Sequence, residues 1–237
     1  MTALSVLPIP TRPGQLPNNL PPTSRDADYL KFLWLADAAV EAHDFEVRQL
    51  IAESNLGPGF WHPNGFATFE IASIADLGLL RLHVWPKRLR RSLAGHPEIH
   101  NHSFQLFSRV IVGEYRETQY RIDDTGTPLH RYEVSLTGIR TQDSLVDTGL
   151  TMRVVKVVSG VVFEAGSWHE VEVGQFHATP IPPTRFCATL AMISPRIPGS
   201  TDVLLGRPGF SQLRSTRPAV DEADLAEIYR QLRPALT

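Results

Sequence analysis

The sequence predicts an all-β barrel or sandwich, flanked by N-terminal helices and followed by one C-terminal helix. Between residues 58 and 198, Gly and Pro separate short runs rich in Val, Ile, Phe, Thr and Tyr, with no helical pattern between them. Successive strands without intervening helices are typical of sandwiches and barrels. The 237 residues are 42% hydrophobic and include 11 Phe, so the composition allows a sizeable core in one large domain with appendages.

The N-terminal part of the chain is predicted to hold an extended arm and two helices. Residues 1–23 are Pro-rich and polar, which is typical of an extended arm. Over residues 24–57 the apolar residues recur at helical spacing, and Ser24 is a candidate cap for the first helix. A second helix is expected to begin near Asp44 and to end at Asn55–Gly59, where NLGPG interrupts the pattern.

The predicted barrel, residues 58–198, contains seven runs in which β-branched and aromatic residues dominate. These runs are Phe66–Ile74, Leu79–Trp85, Phe107–Ile122, His130–Ile139, Leu150–Ala165, Trp168–Val173 and Arg185–Ile193. The sequence DDTG, Asp123–Gly126, predicts the turn of a hairpin. Residues 199–237 are expected to form an extension whose last element is a short amphipathic helix, Val220–Leu232.

Charge and cysteine content restrict the classes of partner and compartment. The net charge is -2 and the pI is about 6.5, so no nucleic-acid or membrane partner is expected. Cys187 is the single cysteine, which excludes an internal disulfide framework and suits a reducing compartment. No apolar run approaches the roughly 20 residues that a membrane helix needs, and prolines interrupt the N-terminus where a signal peptide would be apolar. A cytoplasmic location is therefore expected.

Two of the nine histidines, His100 and His102, lie one residue apart shortly before a predicted strand. Residues i and i+2 of a strand face the same side, so this spacing would direct both imidazoles into one space. Neutral imidazole is a ligand for Zn, Fe, Ni and Cu. From the pair alone, a metal site and two ordinary structural histidines remain equal alternatives.

The residues after the pair resemble the first motif of the cupin superfamily. That motif is HxH, three or four residues, a glutamate, six residues and a glycine. Here His100 and His102 are followed at these spacings by Leu106 and Gly113. Leu106 stands where the motif has its glutamate, and a leucine side chain cannot bind a metal.

A second stretch is similar to the second cupin motif, in which glycine, proline, glycine, histidine and asparagine recur at fixed spacing. Gly166, Gly174 and His177 fall in register with it, whereas Glu172 replaces the proline and Ile181 the asparagine. Both glycines suit tight turns at strand ends, where a positive φ is needed.

The resemblance implies a double-stranded β-helix, a jelly-roll barrel, with a metal ion held by His100, His102 and His177. This three-histidine set is similar to that of the thiol dioxygenases and gentisate-type dioxygenases. It implies a non-haem Fe(II) enzyme that uses O2 and a small carboxylate- or amine-bearing substrate, with Mn, Ni, Co, Cu or Zn as alternative ions. An oxygen-independent isomerase, lyase or hydrolase and a non-catalytic binding protein remain alternatives. A homodimer is the default expectation, since cupins often pair through sheet edges.

Three further residues are candidates for the catalytic site. In Leu79–Trp85, Arg81 and His83 alternate with leucines. Either the leucines face the core and Arg81 and His83 face solvent, or Arg81 and His83 line the cavity while the leucines pack under a helix. An inward Arg81 would bind a substrate carboxylate with two hydrogen bonds. Tyr115 is a candidate hydrogen-bond donor to bound oxygen, with a role as an ordinary core or rim aromatic as its alternative.

Overall fold

A computed structural model describes residues 27–136 and 142–236 of the chain. Over this part the protein is mostly antiparallel β-sheet, with one helix towards each end of the chain. The predicted arm, residues 1–23, and the predicted cap Ser24 lie outside the described residues. The all-β prediction with flanking helices is confirmed at this level.

The elements follow one another in chain order, with the strands between the two helices. The helices are α1 (Ala27–Ala52) and α2 (Glu222–Leu236). The strands are β1 (Gly59–Trp61), β2 (Asn64–Gly65), β3 (Ala67–Ile74), β4 (Gly78–Trp85), β5 (Arg91–Ser92), β6 (Ile99–His100), β7 (Leu106–Leu136), β8 (Gln142–Glu164), β9 (Trp168–Val171), β10 (Phe176–Ala178), β11 (Cys187–Ile193), β12 (Val203–Gly206) and β13 (Gln212–Thr216).

Helix α1 is a single continuous helix, so the prediction of a second helix beginning near Asp44 is wrong. No Gly or Pro occurs between Ala27 and Ala52, and nothing in this stretch ends the hydrogen-bond ladder. Asp44 lies within the helix and forms an ion pair with Arg48 one turn later, at 2.7 Å. The buried stripe of α1 packs on the sheet, and its members include Phe32, Ala36, Val40, Val47 and Ile51.

Among the described residues, eleven strands form one sheet and β2 pairs with β5 alone. The main path runs β1-β3-β4-β11-β7-β10-β6-β12, and every pairing is antiparallel. Strand β7 pairs with β10 near Thr118 and with β12 near Tyr132, so β10, β6 and β12 are enclosed between two parts of one strand. Strands β12 and β13 lie in the segment 199–237, where only a short helix was predicted; that helix is present as α2.

The sequence DDTG does not form a hairpin turn, and that prediction is wrong. Strand β7 continues through it, and Ile122 and Thr127 both have Val154 of β8 as their partner. The four residues Asp123–Gly126 therefore form a bulge, because pairing with β8 resumes on both sides of them. Gly126 passes so close to β8 that a Cβ there would lie 2.4 Å from the carbonyl of Val154.

Replacing Gly126 with alanine is expected to lower the free energy of unfolding by about 1–3 kcal/mol, because the new methyl group would displace the backbone of β8. Urea unfolding of the purified variant measures this loss. Gly57→Ala is the matched control, since nothing lies within 4 Å of a Cβ at Gly57. Equal stability of the two variants would contradict the close approach at the bulge.

Neither helix of the described part of the chain is both long and apolar enough to cross a membrane.

Candidate metal centre

The sheet places the three predicted ligands side by side. His100 ends β6 and lies directly opposite His177 of the neighbouring strand β10. His102 follows two residues later, and the ring centroids are 4.5 Å apart for His100 and His177, 4.8 Å for His100 and His102, and 5.2 Å for His102 and His177. One candidate ligand nitrogen from each ring lies within 4.8 Å of the other two. The three histidines are thus close enough to hold a metal ion.

Hydrogen bonds fix the orientation of two of these rings. His100 donates its Nδ1–H to the carbonyl oxygen of Glu98 at 2.8 Å, and His177 donates its Nδ1–H to the carboxylate of Glu117 at 3.1 Å. Because both Nδ1 atoms carry the proton, the lone pair of each ring lies on Nε2. Ligand histidines in metal proteins are commonly oriented in this way.

The nitrogen spacing fits a single ion. His102 Nε2 and His177 Nε2 are 3.2 Å apart. Two metal–nitrogen bonds of about 2.0–2.1 Å that meet at tetrahedral or octahedral angles place their nitrogens roughly 2.9–3.4 Å apart. The donor set, three imidazoles, suits a first-row transition metal and does not identify which one.

The environment keeps His100 and His102 unprotonated, as metal binding requires. Burial, with a smaller contribution from neighbouring histidines, lowers the pKa of His100 to about 3. The same two causes lower the pKa of His102 well below its usual value. Both rings are therefore neutral at physiological pH.

Glu117 is the functional candidate that sequence reasoning missed. Its side chain is only 2% exposed, and its carboxylate accepts hydrogen bonds from His177 Nδ1 and, at 2.9 Å, from Gln119 Nε2. Burial acts to raise the pKa of Glu117, but the hydrogen bond from His177 and its electrostatic interaction with the carboxylate outweigh burial and lower this pKa below the usual value. A buried carboxylate that remains ionised both orients His177 and strengthens it as a ligand.

A cavity of about 160 Å³ adjoins the three histidines. The structure decides the orientation of β4, which the sequence left open: Arg81, His83 and Trp85 line the cavity. Leu80, Leu82 and Val84, on the other face of the strand, pack in the core that contains α1. Arg81 and His83 therefore lie where a catalytic role requires them, and that role stays a prediction.

Tyr115 also lines the cavity. Its hydroxyl lies 2.8 Å from Thr179 Oγ1, and its ring stacks on that of His169 at a centroid distance of 4.1 Å. Burial raises the pKa of Tyr115 well above its usual value, so the phenol remains protonated. A catalytic role for Tyr115 stays a prediction.

Neither Leu106 nor Glu114, the two residues of the first motif considered as a source of a fourth ligand, joins the three histidines. Leu106, at the position of the cupin glutamate, lines the cavity and offers no ligand atom. Glu114 forms an ion pair with Arg116 at 2.9 Å and lies 3.9 Å from Arg185, away from the three histidines. Among the described residues, the group that can hold a metal therefore consists of histidines alone.

Three further histidines line the cavity, whereas His130 and the cysteine lie outside it. His62, His96 and His169 line the cavity, whereas His130 pairs with Asp147 at 2.9 Å. Cys187 is fully buried, and burial raises the pKa of its thiol, as expected for a small hydrophobic core residue.

Because burial keeps cavity histidines such as His169 neutral in the folded chain, we expect the metal-free protein to lose stability in acid. Burial lowers the pKa of His169 to about 4, whereas a histidine in the unfolded chain titrates near 6.5. Below pH 6.5 the unfolded chain gains a proton that the folded chain does not, so the free energy of unfolding falls as the pH falls from 6.5 towards 4. His169 alone accounts for about 1 kcal/mol between pH 7.5 and 5.5.

Urea unfolding in chelator at pH 7.5 and 5.5 measures this loss, and His169→Phe is the comparison. The variant is expected to lose about 1 kcal/mol less than the wild-type chain over the same interval, because phenylalanine does not titrate. The same loss in both proteins would show that His169 is not held neutral by the fold.

Comparison of the sequence with known proteins gives no assignment. No protein-family model matches the chain, and no curated protein is found to be similar to it.

Proposed function

We propose that this chain is a metal-dependent enzyme with the double-stranded β-helix of the cupins. In this proposal His100, His102 and His177 hold Fe(II) for an O2-dependent reaction of a small polar substrate that bears a carboxylate or an amine. The observation that carries the proposal is the 3.2 Å separation of His102 Nε2 and His177 Nε2, with His177 oriented by the buried Glu117. A scaffold without a ligand would have no need for such a convergence of three imidazoles.

Backbone features at the two motifs support the cupin assignment. His100 ends the short strand β6 and His102 follows it, while His177 of the second motif lies on β10, which pairs with β6. Gly166 and Gly174 have φ values of +88° and +77°, in the left-handed region that the resemblance requires of them.

The lining of the cavity supports a small polar substrate. Three neutral ligands do not offset the +2 charge of a divalent ion, so an anionic substrate group beside the ion would be favoured. Arg81 adds a guanidinium on the same cavity and is the proposed partner of a substrate carboxylate. Phe66 and Trp85, whose rings are 4.5 Å apart, provide an apolar part of the cavity wall. When bound, the ion would supply oxygen activation and polarise the groups that it binds.

The oxygen-independent alternative requires a general base in the cavity. Burial lowers the pKa of His83 to about 3 and that of His96 to about 4. Imidazoles with such pKa values accept a proton poorly at neutral pH, so neither residue is well suited to this role. Glu172 is not among the residues that line the cavity. These observations favour oxygen chemistry over proton transfer.

Metal analysis followed by oxygen uptake tests the proposal. Protein purified without chelator is analysed for its metals, then loaded anaerobically with Fe(II) or Zn(II) and mixed with a panel of small amino and thiol carboxylates. The proposal predicts oxygen consumption with at least one substrate by the Fe(II) form, and none by the Zn(II) form or by His177→Ala. Turnover by the Zn(II) form without oxygen would establish the alternative instead.

The homodimer and the cytoplasmic location also stay predictions. Light scattering on the purified chain measures its mass, and a mass near 53 kDa, about twice that of the 26.4 kDa chain, would establish the dimer.

A further inference from the structure

Three polar side chains in the cavity have no role in holding a metal. Ser108, His169 and Thr189 are 1%, 4% and 1% exposed, and all three line the cavity. Neither ring nitrogen of His169 and neither hydroxyl oxygen has a hydrogen-bond partner within the described part of the protein. A buried polar group without a partner is costly, so three such groups facing one space indicate a polar ligand.

The strand register places these three side chains together. Ser108 of β7 lies directly opposite His169 of β9, and Thr189 of β11 lies opposite Val110, two residues along β7 from Ser108. Directly opposed side chains on one face of a sheet have Cβ atoms about 5 Å apart, and diagonal neighbours about 7–8 Å. The hydroxyl of Ser108, the imidazole of His169 and the hydroxyl of Thr189 therefore form one polar surface on β7, β9 and β11. The candidate metal ligands belong to other parts of the sheet, at and just after the end of β6 and on β10.

Charged groups of opposite sign flank this surface. The carboxylate of Glu117 is 3.8 Å from His169 Nε2, beyond hydrogen-bond distance, and it is held by His177 on its other side. At the opposite end, Arg81 of β4 lies across Ala191 from Ser108. The surface itself consists of groups without charge, because burial lowers the pKa of His169 to about 4.

We propose that Ser108, His169 and Thr189 form a subsite for a neutral hydroxyl or carboxamide group of the substrate, whose other end is held at the metal centre. The inference rests on the proposed function, because it takes the three histidines to anchor that other end.

The hydrogen-bonding capacity of the three groups favours a neutral hydroxyl or carboxamide over a charged group. Each hydroxyl and the neutral imidazole offers both a donor and an acceptor, and a hydroxyl or carboxamide offers both in return. An ammonium group only donates, and a carboxylate only accepts and would be repelled by Glu117 beside His169. A neutral donor–acceptor group therefore satisfies more of the buried atoms than either charged group.

The test compares matched small acids on the Zn(II)-loaded full chain, so that no turnover is needed. Calorimetry measures the dissociation constants of propionate, 3-hydroxypropionate, butyrate and 4-hydroxybutyrate, with 3-aminopropionate and succinate as the charged probes. At one of the two chain lengths, the hydroxy acid is expected to bind about tenfold more tightly than the unsubstituted acid, as one or two buried hydrogen bonds would give. Both charged probes are expected to bind more weakly than the hydroxy acid.

Two variants test whether Thr189 and His169 cause the tighter binding of the hydroxy acid. Thr189→Val keeps the volume of the side chain, and His169→Phe keeps the ring that stacks on Tyr115. Each is expected to reduce the tenfold preference of the hydroxy acid over the unsubstituted acid to about twofold or less. Thr127→Val, at an exposed threonine of β7, is the control and should keep the preference. If His169→Phe fails to fold, Thr189→Val decides alone.

The outcomes separate this inference from the proposed function. If the unsubstituted acids bind the Zn(II) form but not the metal-free chain, and the hydroxy acids bind no better, the metal centre stands and the subsite is wrong. Tighter binding of 3-aminopropionate or succinate would also overturn the subsite. If no acid binds, or metal makes no difference, both inferences fail.

Discussion

Replacing His177 with alanine is expected to reduce the divalent metal that the purified chain retains to about a tenth of the wild-type amount or less, since one ligand of three is lost. The ring of His177 lies between the ring of His100 and the carboxylate of Glu117, and no fourth described residue belongs to the candidate metal group. Elemental analysis after dialysis against a weak chelator measures the retained metal. His100→Ala and His102→Ala are expected to behave alike.

His130→Ala is the matched control for this experiment. His130 is paired with Asp147 and is not part of the three-histidine group, so its loss should leave the metal content unchanged. Wild-type metal content in the His177 variant would contradict the proposed centre, whereas a similar loss in the His130 variant would point to misfolding.

Replacing Glu117 with glutamine is expected to weaken metal binding by about 10–100-fold while leaving all three ligands in place. Glutamine retains an oxygen that can accept the Nδ1–H of His177, but it removes the negative charge that strengthens His177 as a ligand. Competition with a fluorescent zinc chelator measures the dissociation constant.

Glu114→Gln provides the control three residues earlier on the same strand. The Glu114 carboxylate pairs with Arg116 away from the histidines, so its loss should change the dissociation constant by less than about twofold. Equal affinity of wild-type chain and Glu117 variant would show that Glu117 does not act on the metal. An equal loss in both variants would point to a general effect of charge.

The resemblance to the two cupin motifs led to the three histidines. The HxH spacing predicted a shared face for His100 and His102, and the glycine spacing of the second motif pointed to His177. In the structure His102 lies two residues beyond the end of β6, so strand alternation alone does not account for its position. What no local pattern could supply was the pairing of β6 with β10, which joins residues far apart in the chain. The structure supplies that pairing through the register of His100 with His177.

Glu117 was missed although one signal for it was present. Tyr115 was a candidate, and Glu117 lies two residues later on the same strand, where simple alternation gives it the same face. The signal is weak because Glu117, Thr118 and Gln119 are all buried in succession, and irregular pairing with β8 at this point breaks the alternation. Burial of an acidic residue depends on partners from distant strands.

Two local rules failed where tertiary pairing overrode them. The DDTG sequence has turn chemistry, but the register with β8 continues on both sides and converts it into a bulge. The alternation in β4 did not show which of its two faces lines the cavity, because that depends on the position of α1. Helix α1 covers Leu80 and Leu82, which leaves Arg81 to the cavity.

X-ray absorption spectroscopy of the metal-loaded chain tests the central claim most directly, because it counts the imidazoles around the ion. With one equivalent of Zn(II), the account predicts a first shell of nitrogen and oxygen at about 2.0–2.1 Å with the outer-shell scattering of three imidazoles, reduced to two in the His177→Ala variant. A shell containing sulfur, or one with a single imidazole or none, would contradict the claim that His100, His102 and His177 hold one ion.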